Sequence, residues 1–422
     1  MTQAHGILQD ANVALGTKDE AVGAAPASLG GLILSLATAL ILLGVVMVFS
    51  ARGTLDRPLF PQDPLHSIAA RQIAFALLAI ALMWITYGIG YRCLRWRSPT
   101  LSGDLLYDMA NQGKRRYREP AVLLLVLVLV CLVAALVPGL ADARRGARRW
   151  LQFGPSEYGL GFQPSELAKI GIIVFLAAWL AHRRVLMKQF RHGIIPPVLV
   201  LGTIAGLIVI EDLGTAALIV LVGGLMILAA GARLWHAGLL AIPGLVAFAG
   251  MIWIEPYRIE RLLGFRNVWA DPLDKGYHAV QSLVAIASGG WWGRGLGAGM
   301  QKYGYLPEAH TDFIFAIICE ELGLVGGLTV LAMFVCLVVL GWRVMVSAPD
   351  SFGKLLALGV TLMVGFQAAM NIAVVTVSVP TKGISLPLVS AGGSGVIFFA
   401  VSLALLASVS RASSRGANSI SQ

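Results

Sequence analysis

Apolar stretches long enough to cross a membrane recur along almost the whole chain, and this feature constrains the fold more than any other. A transmembrane helix needs about 20 predominantly apolar residues. Charged residues make up only 13 % of the chain and the mean hydropathy is +0.79, whereas a soluble domain carries roughly 25 % charged residues. The sequence therefore predicts an all-α polytopic membrane protein.

The hydropathy pattern predicts ten transmembrane helices, with a long extracytoplasmic loop between the seventh and the eighth. We expect a single membrane domain over residues 29–410, flanked by tails at 1–28 and 411–422. The N-terminal tail contains no basic region followed by a short apolar core, which argues against a cleaved signal peptide. The predicted spans are 29–50, 68–91, 120–140, 165–182, 194–211, 213–230, 236–254, 312–341, 354–376 and 385–410.

The distribution of Arg and Lys predicts the orientation of the chain. The loops after the second and the fourth predicted spans are rich in both residues, and such loops remain on the cytoplasmic side. An even number of spans then places both tails in the cytoplasm. We therefore expect a multi-pass protein of the cytoplasmic membrane, in contact with its lipids.

Basic residues are also present in the predicted outer loops, where this rule expects few. An anionic ligand at the outer face would explain them, and pairing with lipid phosphates or nearby acids is the alternative. In this membrane setting the formal charge of +10 indicates anionic headgroups rather than a nucleic acid partner. The residues are Arg144, Arg145, Arg148 and Arg149 after the third span, and Arg258, Arg261, Arg266, Lys275, Arg294 and Lys302 in the 255–311 loop.

The 255–311 loop is predicted to have structure of its own. Residues 271–282 combine a turn with the start of a helix, and residues 288–299 are rich in glycine and include Trp291 and Trp292. The glycines do not follow a strand, so a dinucleotide-binding motif or a P-loop is excluded. We expect a re-entrant or interfacial element with the tryptophans at headgroup level.

Polar residues gather in four clusters on the predicted outer side. Glu166 and Lys169 lie three residues apart on one helix face, and Asp212 stands where a helix cap is expected. Each cluster has a structural alternative: an ion pair, a cap, helix packing through glycines, or a lysine that snorkels to the surface. The candidate residues are Arg148, Trp150, Gln163, Ser165, Glu166 and Lys169; Asp212 and Thr215; Lys382 and Ser390; and Glu308, His310, Thr311 and Asp312.

Asp312 is the strongest candidate for a catalytic group. We place it in the first turn of the eighth helix, where backbone N–H groups favour the ionised carboxylate, while partial burial would make that carboxylate more basic. A carboxylate balanced between these effects suits a general base. Glu320 and Glu321 follow deeper in the same helix. Polar contacts with neighbouring helices are their expected role, and a function inside the membrane is the alternative.

Several motifs occur in an order that resembles the SEDS family, which includes FtsW, RodA and SpoVE. The similarity covers roughly residues 29–410, and PEAHTDF is more similar to FtsW than to RodA. The chain departs from the family pattern at Glu211 before DLGT and at Ala391 within the serine–glycine motif. The motifs are GARRW with QPSELAK, DLGTA, DP with GY and QS, LPEAHTDFIFAI with EELG, and PTKG with SAGG.

The resemblance implies a peptidoglycan glycosyltransferase that polymerises lipid II into β-1,4 glycan strands on the outer face of the membrane. It implies septal cell-wall synthesis in cell division, in complex with a class B penicillin-binding transpeptidase and other divisome proteins. Asp312 matches the essential aspartate of the family and would act as the general base of an inverting reaction. Gln281, Ser282 and Arg294 join the candidate substrate-binding residues. No cofactor follows from the sequence, and a divalent cation, Mg²⁺ or Mn²⁺, is the candidate that the leaving pyrophosphate suggests.

Other functions stay open on the sequence alone. A RodA-like polymerase would act in elongation and cell shape, and a lipid II transporter would also use ten spans and intramembrane carboxylates. A non-enzymatic scaffold would recruit the transpeptidase and tolerate the loss of Asp312. Glycosyltransferases similar to O-antigen ligases share the multi-span layout but lack the HTDF and PTKG motifs.

Overall fold

Helices make up most of the part of the chain that the computed structural model describes. The described residues are 28–52, 68–95, 119–137, 141–144, 147–152, 161–236, 268–274, 276–380 and 382–420, with a few isolated residues between 238 and 265. The helices are α1 (Ser28–Arg52), α2 (Ile68–Ile89), α3 (Pro120–Leu136), α4 (Pro164–His182), α5 (Ile195–Val209), α6 (Leu213–Ala229), α7 (Tyr277–Gly289), α8 (Ile314–Ser347), α9 (Ser351–Val375) and α10 (Gly393–Ile420).

Seven helices within the described residues are long and apolar enough to cross a membrane, and α3 and α6 are shorter apolar helices. Together they coincide with every predicted span except the seventh. Residues 236–254 lie almost entirely outside the described residues, so a total of ten spans remains a prediction. The helical class with several segments of membrane-spanning length is confirmed.

Local sequence explains where several helices begin. Pro120 and Pro164 occupy the first positions of α3 and α4, where the missing backbone N–H breaks no helical hydrogen bond. Asp212 caps α6, because its carboxylate accepts hydrogen bonds from the backbone N–H groups of Gly214 (3.0 Å) and Thr215 (3.1 Å). The predicted cap at Asp212 is confirmed.

Contacts between the terminal residues of the helices group their ends into two layers. We call one layer the site end; it contains the first residues of α4, α6, α8 and α10 and the last residues of α1, α5 and α9. At the opposite end, the Tyr91 hydroxyl donates to Asp350 Oδ2 (2.7 Å), and the Tyr91 N–H donates to Ser408 Oγ (2.9 Å). These bonds join the connection after α2 to the start of α9 and to α10.

The structure differs from the all-α prediction at the site end, where a three-stranded antiparallel sheet connects α3 to α4. Its register pairs Asp142 with Trp150 and Leu151 with Phe162. Strands this short show no clear alternation in the sequence, and pairing with each other stabilises them more than local propensity does. The strands are β1 (Ala141–Arg144), β2 (Ala147–Gln152) and β3 (Gly161–Phe162).

Two helix starts also differ from the prediction. α8 begins at Ile314 instead of residue 312, and α10 begins at Gly393 instead of residue 385. Before α10, Pro387 disfavours a helical backbone at the residue that precedes it, and Leu388 adopts a φ of 65°, which is outside the right-handed helical region. The segment 382–391 is therefore a turn-rich connection rather than the first turns of a span.

The glycine-rich loop after α7 packs along the first part of α8. Gly323 interrupts α8 with φ 71° and ψ −171°, a conformation that glycine adopts without steric cost. The interruption releases backbone groups that the loop then satisfies: Leu324 N–H donates to Gly290 O (2.9 Å), and Arg294 N–H donates to Glu320 O (3.0 Å). The predicted order of a turn followed by a helix at residues 271–282 is confirmed.

Glu320 and Glu321 bind this loop from within α8. Both side chains are completely buried. Glu320 Oε1 accepts a hydrogen bond from Met300 N–H (2.7 Å), while Glu321 accepts from Gly297 N–H (3.1 Å) and pairs with the Lys302 ammonium (2.9 Å). The polar contacts expected of these glutamates are present, and most of them are made with the loop rather than with another helix.

Candidate functional site

The 382–391 segment lies at the centre of the site end. Two hydrogen bonds join its last residues to the turn before α8: Ser390 Oγ donates to Thr311 O (2.7 Å), and Ala391 N–H donates to His310 O (2.9 Å). Ser390 Oγ also accepts from Leu386 N–H (2.8 Å), which closes a turn inside the segment. The two motifs that contain Asp312 and Lys382 are therefore adjacent in the structure.

Asp312 lies in the turn immediately before α8, and its carboxylate faces Gly383. A Cβ atom on Gly383 would lie 2.9 Å from Asp312 Oδ2, so glycine leaves the room that the carboxylate occupies. Asp312 O accepts a hydrogen bond from Asn371 Nδ2 (2.7 Å). Because α8 begins at Ile314 with Phe313 as its cap residue, the predicted position of Asp312 in the first helical turn is wrong.

The turn before Asp312 is built by its own hydrogen bonds. The N–H groups of Thr311 and Phe313 both donate to Glu308 O (3.0 and 3.2 Å), and Thr311 Oγ1 donates to Glu308 Oε2 (2.8 Å). Such local bonds compete with helix formation, which explains why α8 starts after Asp312. Glu308 and Thr311 thus shape the turn that presents the carboxylate.

Backbone strain concentrates around this turn and the 382–391 segment. Among the described residues, the non-glycine residues with positive φ are Glu308 (58°), Val377 (54°) and Leu388 (65°). Each such conformation costs on the order of 1–3 kcal/mol, and it is least favourable for the β-branched Val377. All three lie in connections at the site end, where the surrounding contacts hold the backbone in place.

Glu166 and Lys169 form a buried ion pair at the start of α4. Lys169 Nζ lies 2.7 Å from Glu166 Oε1, as the spacing of the two residues predicts. The same ammonium donates to Gln367 Oε1 (2.7 Å) and lies 4.8 Å from the centre of the Phe399 ring. The two charges largely neutralise each other inside the protein.

Gln163 and Ser165 belong to the same helix start. Gln163 Nε2 donates to Ser165 Oγ (3.0 Å), and Gln163 N–H donates to Ser394 Oγ (3.4 Å) in the first turn of α10. These bonds hold the start of α4 against the residues that follow the 382–391 segment. Both residues therefore border the site, with an evident role in connecting its elements.

The sheet supplies the two remaining candidates before α4. Trp150 in β2 packs against Gly161 of β3, where a Cβ atom would lie 2.9 Å from the indole ring. Arg148 pairs with Ala143 through the backbone of the sheet, and its side chain lies outside the described residues. The position of β2 next to α4 brings Arg148 to the site end.

Asp212 and Thr215 lie next to Lys382 at the start of α6. Asp212 Oδ2 accepts a hydrogen bond from Thr215 Oγ1 (2.8 Å), in addition to the two bonds that cap the helix. A Cβ atom on Gly214 would lie 2.7 Å from Lys382 Cε, so the lysine stem crosses the helix start at a glycine. Lys382 also precedes Gly383, which connects the start of α6 to Asp312.

The remaining candidates lie on α7 and in the glycine-rich loop that follows it. Ser282 is completely buried and its hydroxyl donates to Val375 O (2.7 Å), so it fastens α7 to the end of α9. Gln281 adjoins it on α7 and is partly exposed. Arg294 lies in the glycine-rich loop, where its Nε donates to Ser288 O (3.3 Å). The Ser282 hydroxyl thus contributes to the packing of α7 against α9, and the backbone N–H of Arg294 donates to Glu320 O in α8 (3.0 Å).

Sequence reasoning missed two residues of the site, Gln367 and Asn371 in α9. Both are buried, and both donate hydrogen bonds to the 382–391 segment. A signal was available, because amide side chains are unfavourable inside an apolar span unless they are paired. Their spacing of four residues also places them on one helix face.

A preformed metal site is absent from the described residues, since no three His, Cys, Asp or Glu side chains there could hold an ion. The carboxylates of Asp212 and Glu166 are engaged by Thr215 and Lys169. The partly exposed Asp312 fits the pattern in which Mg²⁺ is bound by one or two carboxylates together with substrate phosphates. A divalent cation therefore stays an expectation.

Comparison with known proteins identifies the family. The profile of the cell cycle protein family of FtsW, RodA and SpoVE matches residues 31–415. This chain belongs to that family. A probable peptidoglycan glycosyltransferase FtsW from Geobacter sp. (strain M18) is 37 % identical over 384 residues, which cover 90 % of this chain and 96 % of the relative. Stage V sporulation protein E from Bacillus subtilis (strain 168) is 36 % identical over 382 residues, with coverage of 90 % and 96 %.

Solved structures of the family share the fold. A chain from a peptidoglycan synthase complex that coordinates polymerization and crosslinking has a TM-score of 0.65 and 28 % identity, over 90 % of this chain and 97 % of that one. Rod shape determining protein RodA from Thermus thermophilus has a TM-score of 0.55 and 24 % identity, over 90 % and 95 %. The resemblance inferred from the motifs is confirmed.

Proposed function

We propose that this protein polymerises lipid II into β-1,4 glycan strands at the outer face of the cytoplasmic membrane, as a peptidoglycan glycosyltransferase. The observation that carries the proposal is the position of Asp312, a partly exposed carboxylate that faces Gly383 next to Lys382. The name of the Geobacter relative, probable peptidoglycan glycosyltransferase FtsW, supports the same activity.

The proposed reaction inverts the donor sugar, because lipid II carries an α-linked sugar on pyrophosphate and the product linkage is β. An inverting transfer needs a base beside the acceptor, while the leaving group departs from the opposite face of the sugar. The acceptor 4-hydroxyl oxygen bonds to the anomeric carbon as the bond from that carbon to pyrophosphate breaks. Asp312 accepts the hydroxyl proton, and undecaprenyl pyrophosphate leaves as an anion.

The leaving pyrophosphate needs cations, and Lys382 is the better candidate of the two lysines at the site. Lys169 is only 4 % exposed, so little of its ammonium is accessible to a substrate. Lys382 is partly exposed and lies one residue from the glycine that Asp312 faces. Fixed cations act most strongly where charge develops in the transition state. Arg148 and a divalent cation are further contributors in this proposal.

The site end would then face the outside, and both tails would be cytoplasmic. The FtsW name of the relatives favours a role in the division septum, and a fluorescent fusion that follows the side wall instead would favour elongation. A class B penicillin-binding transpeptidase is the proposed partner, supported by the similarity to a chain of a peptidoglycan synthase complex.

The test is polymerisation of labelled lipid II by purified protein, with and without the cognate class B transpeptidase. Asp312→Asn keeps the size of the side chain but removes the base, so glycan formation is expected to fall about 10²–10⁴-fold. Asp274→Asn is the matched control, since Asp274 is an exposed carboxylate in the connection before α7, and this variant keeps wild-type activity.

Near-normal glycan formation by Asp312→Asn would refute the role of Asp312 as the base. Absence of glycan from the wild-type protein with its partner and Mg²⁺ present would instead point to transport or to a scaffold. Translocation of labelled lipid II across vesicle membranes separates these two, because a scaffold moves no substrate.

A further inference from the structure

Gln367 and Asn371 bring two buried amide groups to one face of α9, outside the motifs on which the proposed function is based. They are 2 % and 0 % exposed. Buried amides destabilise a protein unless they are hydrogen-bonded, so their partners indicate what they do. Both residues donate hydrogen bonds to the backbone of the 382–391 segment. These bonds are not part of the α9 helix itself, so they serve to hold the segment.

Asn371 joins Asp312 to the 382–391 segment. Its Nδ2 donates to Asp312 O (2.7 Å) and to Ile384 O (2.7 Å). A primary amide nitrogen carries two hydrogens, so one group can serve both carbonyls. Asp312 is thereby linked to Ile384, the residue that follows Gly383. Gly383 itself lies close to the Asp312 carboxylate, and this close approach defines the site. A shift of this bridge would move the carboxylate relative to Lys382.

Gln367, one turn away, joins Lys169 to the same segment. Its Nε2 donates to Ser385 O (3.0 Å), and its Oε1 accepts from Lys169 Nζ (2.7 Å). The orientation of this amide is determined, because the ammonium can only donate and the carbonyl can only accept. One helix, α9, thus holds both the ion pair of α4, through Lys169, and the turn that carries Asp312.

We propose that Asn371 and Gln367 are positioning residues of the polymerase: Asn371 sets the Asp312 carboxylate against Lys382 and Gly383, and Gln367 sets Lys169 against the same segment. This inference deepens the proposed function and rests on it. Reacting groups must be held closely, since a displacement of about 1 Å can lower turnover about 10²-fold. The positions of the base and of the cations relative to each other depend on these two amides.

The test compares Asn371→Leu and Gln367→Leu, which are close in size to the native residues but donate no hydrogen bond. Thr361→Val is the matched control, because Thr361 is a buried polar residue of α9 whose hydroxyl donates to Ala357 O within the helix (2.7 Å). Turnover and lipid II binding are measured separately, at a temperature well below the unfolding midpoint of every variant.

Asn371→Leu is expected to lower kcat about 10–100-fold, while its affinity for lipid II stays within about threefold of wild type and Thr361→Val keeps wild-type kcat. Wild-type kcat in Asn371→Leu would overturn the proposal, and so would an equal loss in Thr361→Val or a parallel loss of lipid II binding. If Asn371→Leu does not fold, Gln367→Leu provides the test. Unchanged kcat and unchanged lipid II affinity in that variant would overturn the positioning role proposed for both residues.

The proposed function and the positioning role fail in different ways. An active Asp312→Asn enzyme refutes the base itself and leaves nothing to position. An inactive Asp312→Asn enzyme together with a fully active Asn371→Leu enzyme keeps the proposed function and refutes the positioning role alone.

Discussion

Replacement of Glu321 by glutamine tests the physical basis of the loop that packs against α8. Glu321 Oε1 pairs with Lys302 Nζ at 2.9 Å, and the two side chains are 0 % and 2 % exposed. Glu321 Oε2 also accepts from Ser50 Oγ (2.6 Å) and from Gly297 N–H (3.1 Å). Glutamine keeps the size of the side chain but leaves the buried Lys302 ammonium without its paired charge.

The expected loss of stability follows from the burial of this ion pair. Removal of one partner of a buried ion pair destabilises a protein by about 3–5 kcal/mol. The lower end applies here, because Glu320 lies next to Glu321 in the same helix and Lys302 Nζ keeps its hydrogen bond to Gly297 O (2.7 Å). Because the unfolding entropy is roughly 2.1 cal/mol/K per residue, a loss of about 3 kcal/mol lowers the unfolding midpoint of a 422-residue chain by roughly 3–4 °C.

The assay is thermal unfolding of purified protein in detergent, followed by intrinsic tryptophan fluorescence. Lys302→Met removes the other charge, and the Glu321→Gln/Lys302→Met double variant removes both. Because loss of a whole buried pair is often close to neutral, the double variant is expected to recover most of the lost stability. A midpoint for Glu321→Gln within about 1 °C of wild type would contradict this prediction. So would a double variant that shows the summed loss of both single variants.

Two further predictions concern the site and the opposite end. Gly383→Ala puts a Cβ atom 2.9 Å from Asp312 Oδ2. The displaced carboxylate is expected to lower glycan formation at least about tenfold. The control Gly392→Ala has open space at the Cβ position and is expected to stay active. Burial, together with the hydrogen bond to Asp350, raises the pKa of Tyr91 from 10.0 to about 12. The folded state therefore favours the neutral phenol, and this contribution to stability is complete below pH 10 and is lost as the pH rises towards 12. Unfolding midpoints across that range should fall more steeply for wild type than for Tyr91→Phe, and equal slopes would contradict this prediction.

Features of the site that depend on neighbours along the chain could be predicted from the sequence. The spacing of Glu166 and Lys169 places them on one face of α4, and their ion pair follows from it. Asp212 caps α6 because the next backbone N–H groups are within reach of its carboxylate. The apolar spans follow from composition in the same way, since their backbone hydrogen bonds are internal to each helix.

The position of Asp312 could not be predicted from the neighbouring residues alone, because α8 begins after it, at Ile314. The polar stretch before α8 matched a helix start, but the hydrogen bonds of Glu308 with Thr311 and Phe313 hold a turn there instead. The predicted start of α10 at residue 385 is also too early, because residues 384–389 are mostly apolar and have the composition of a span. Contacts with other elements determine their turn-rich conformation, and hydropathy contains no information about such contacts.

The family, the class of fold, most of the spans and the candidate base can all be predicted from the amino-acid sequence. The way in which the base is held depends on contacts between distant parts of the chain. Asn371 meets Asp312 across 59 residues of chain, and Ser50 meets Glu321 across 271. Such pairs leave no periodic pattern, because each partner satisfies the other only after the helices have packed. Buried polar groups must find hydrogen bonds wherever packing places them, and here that packing selects the 382–391 segment as the centre of the site.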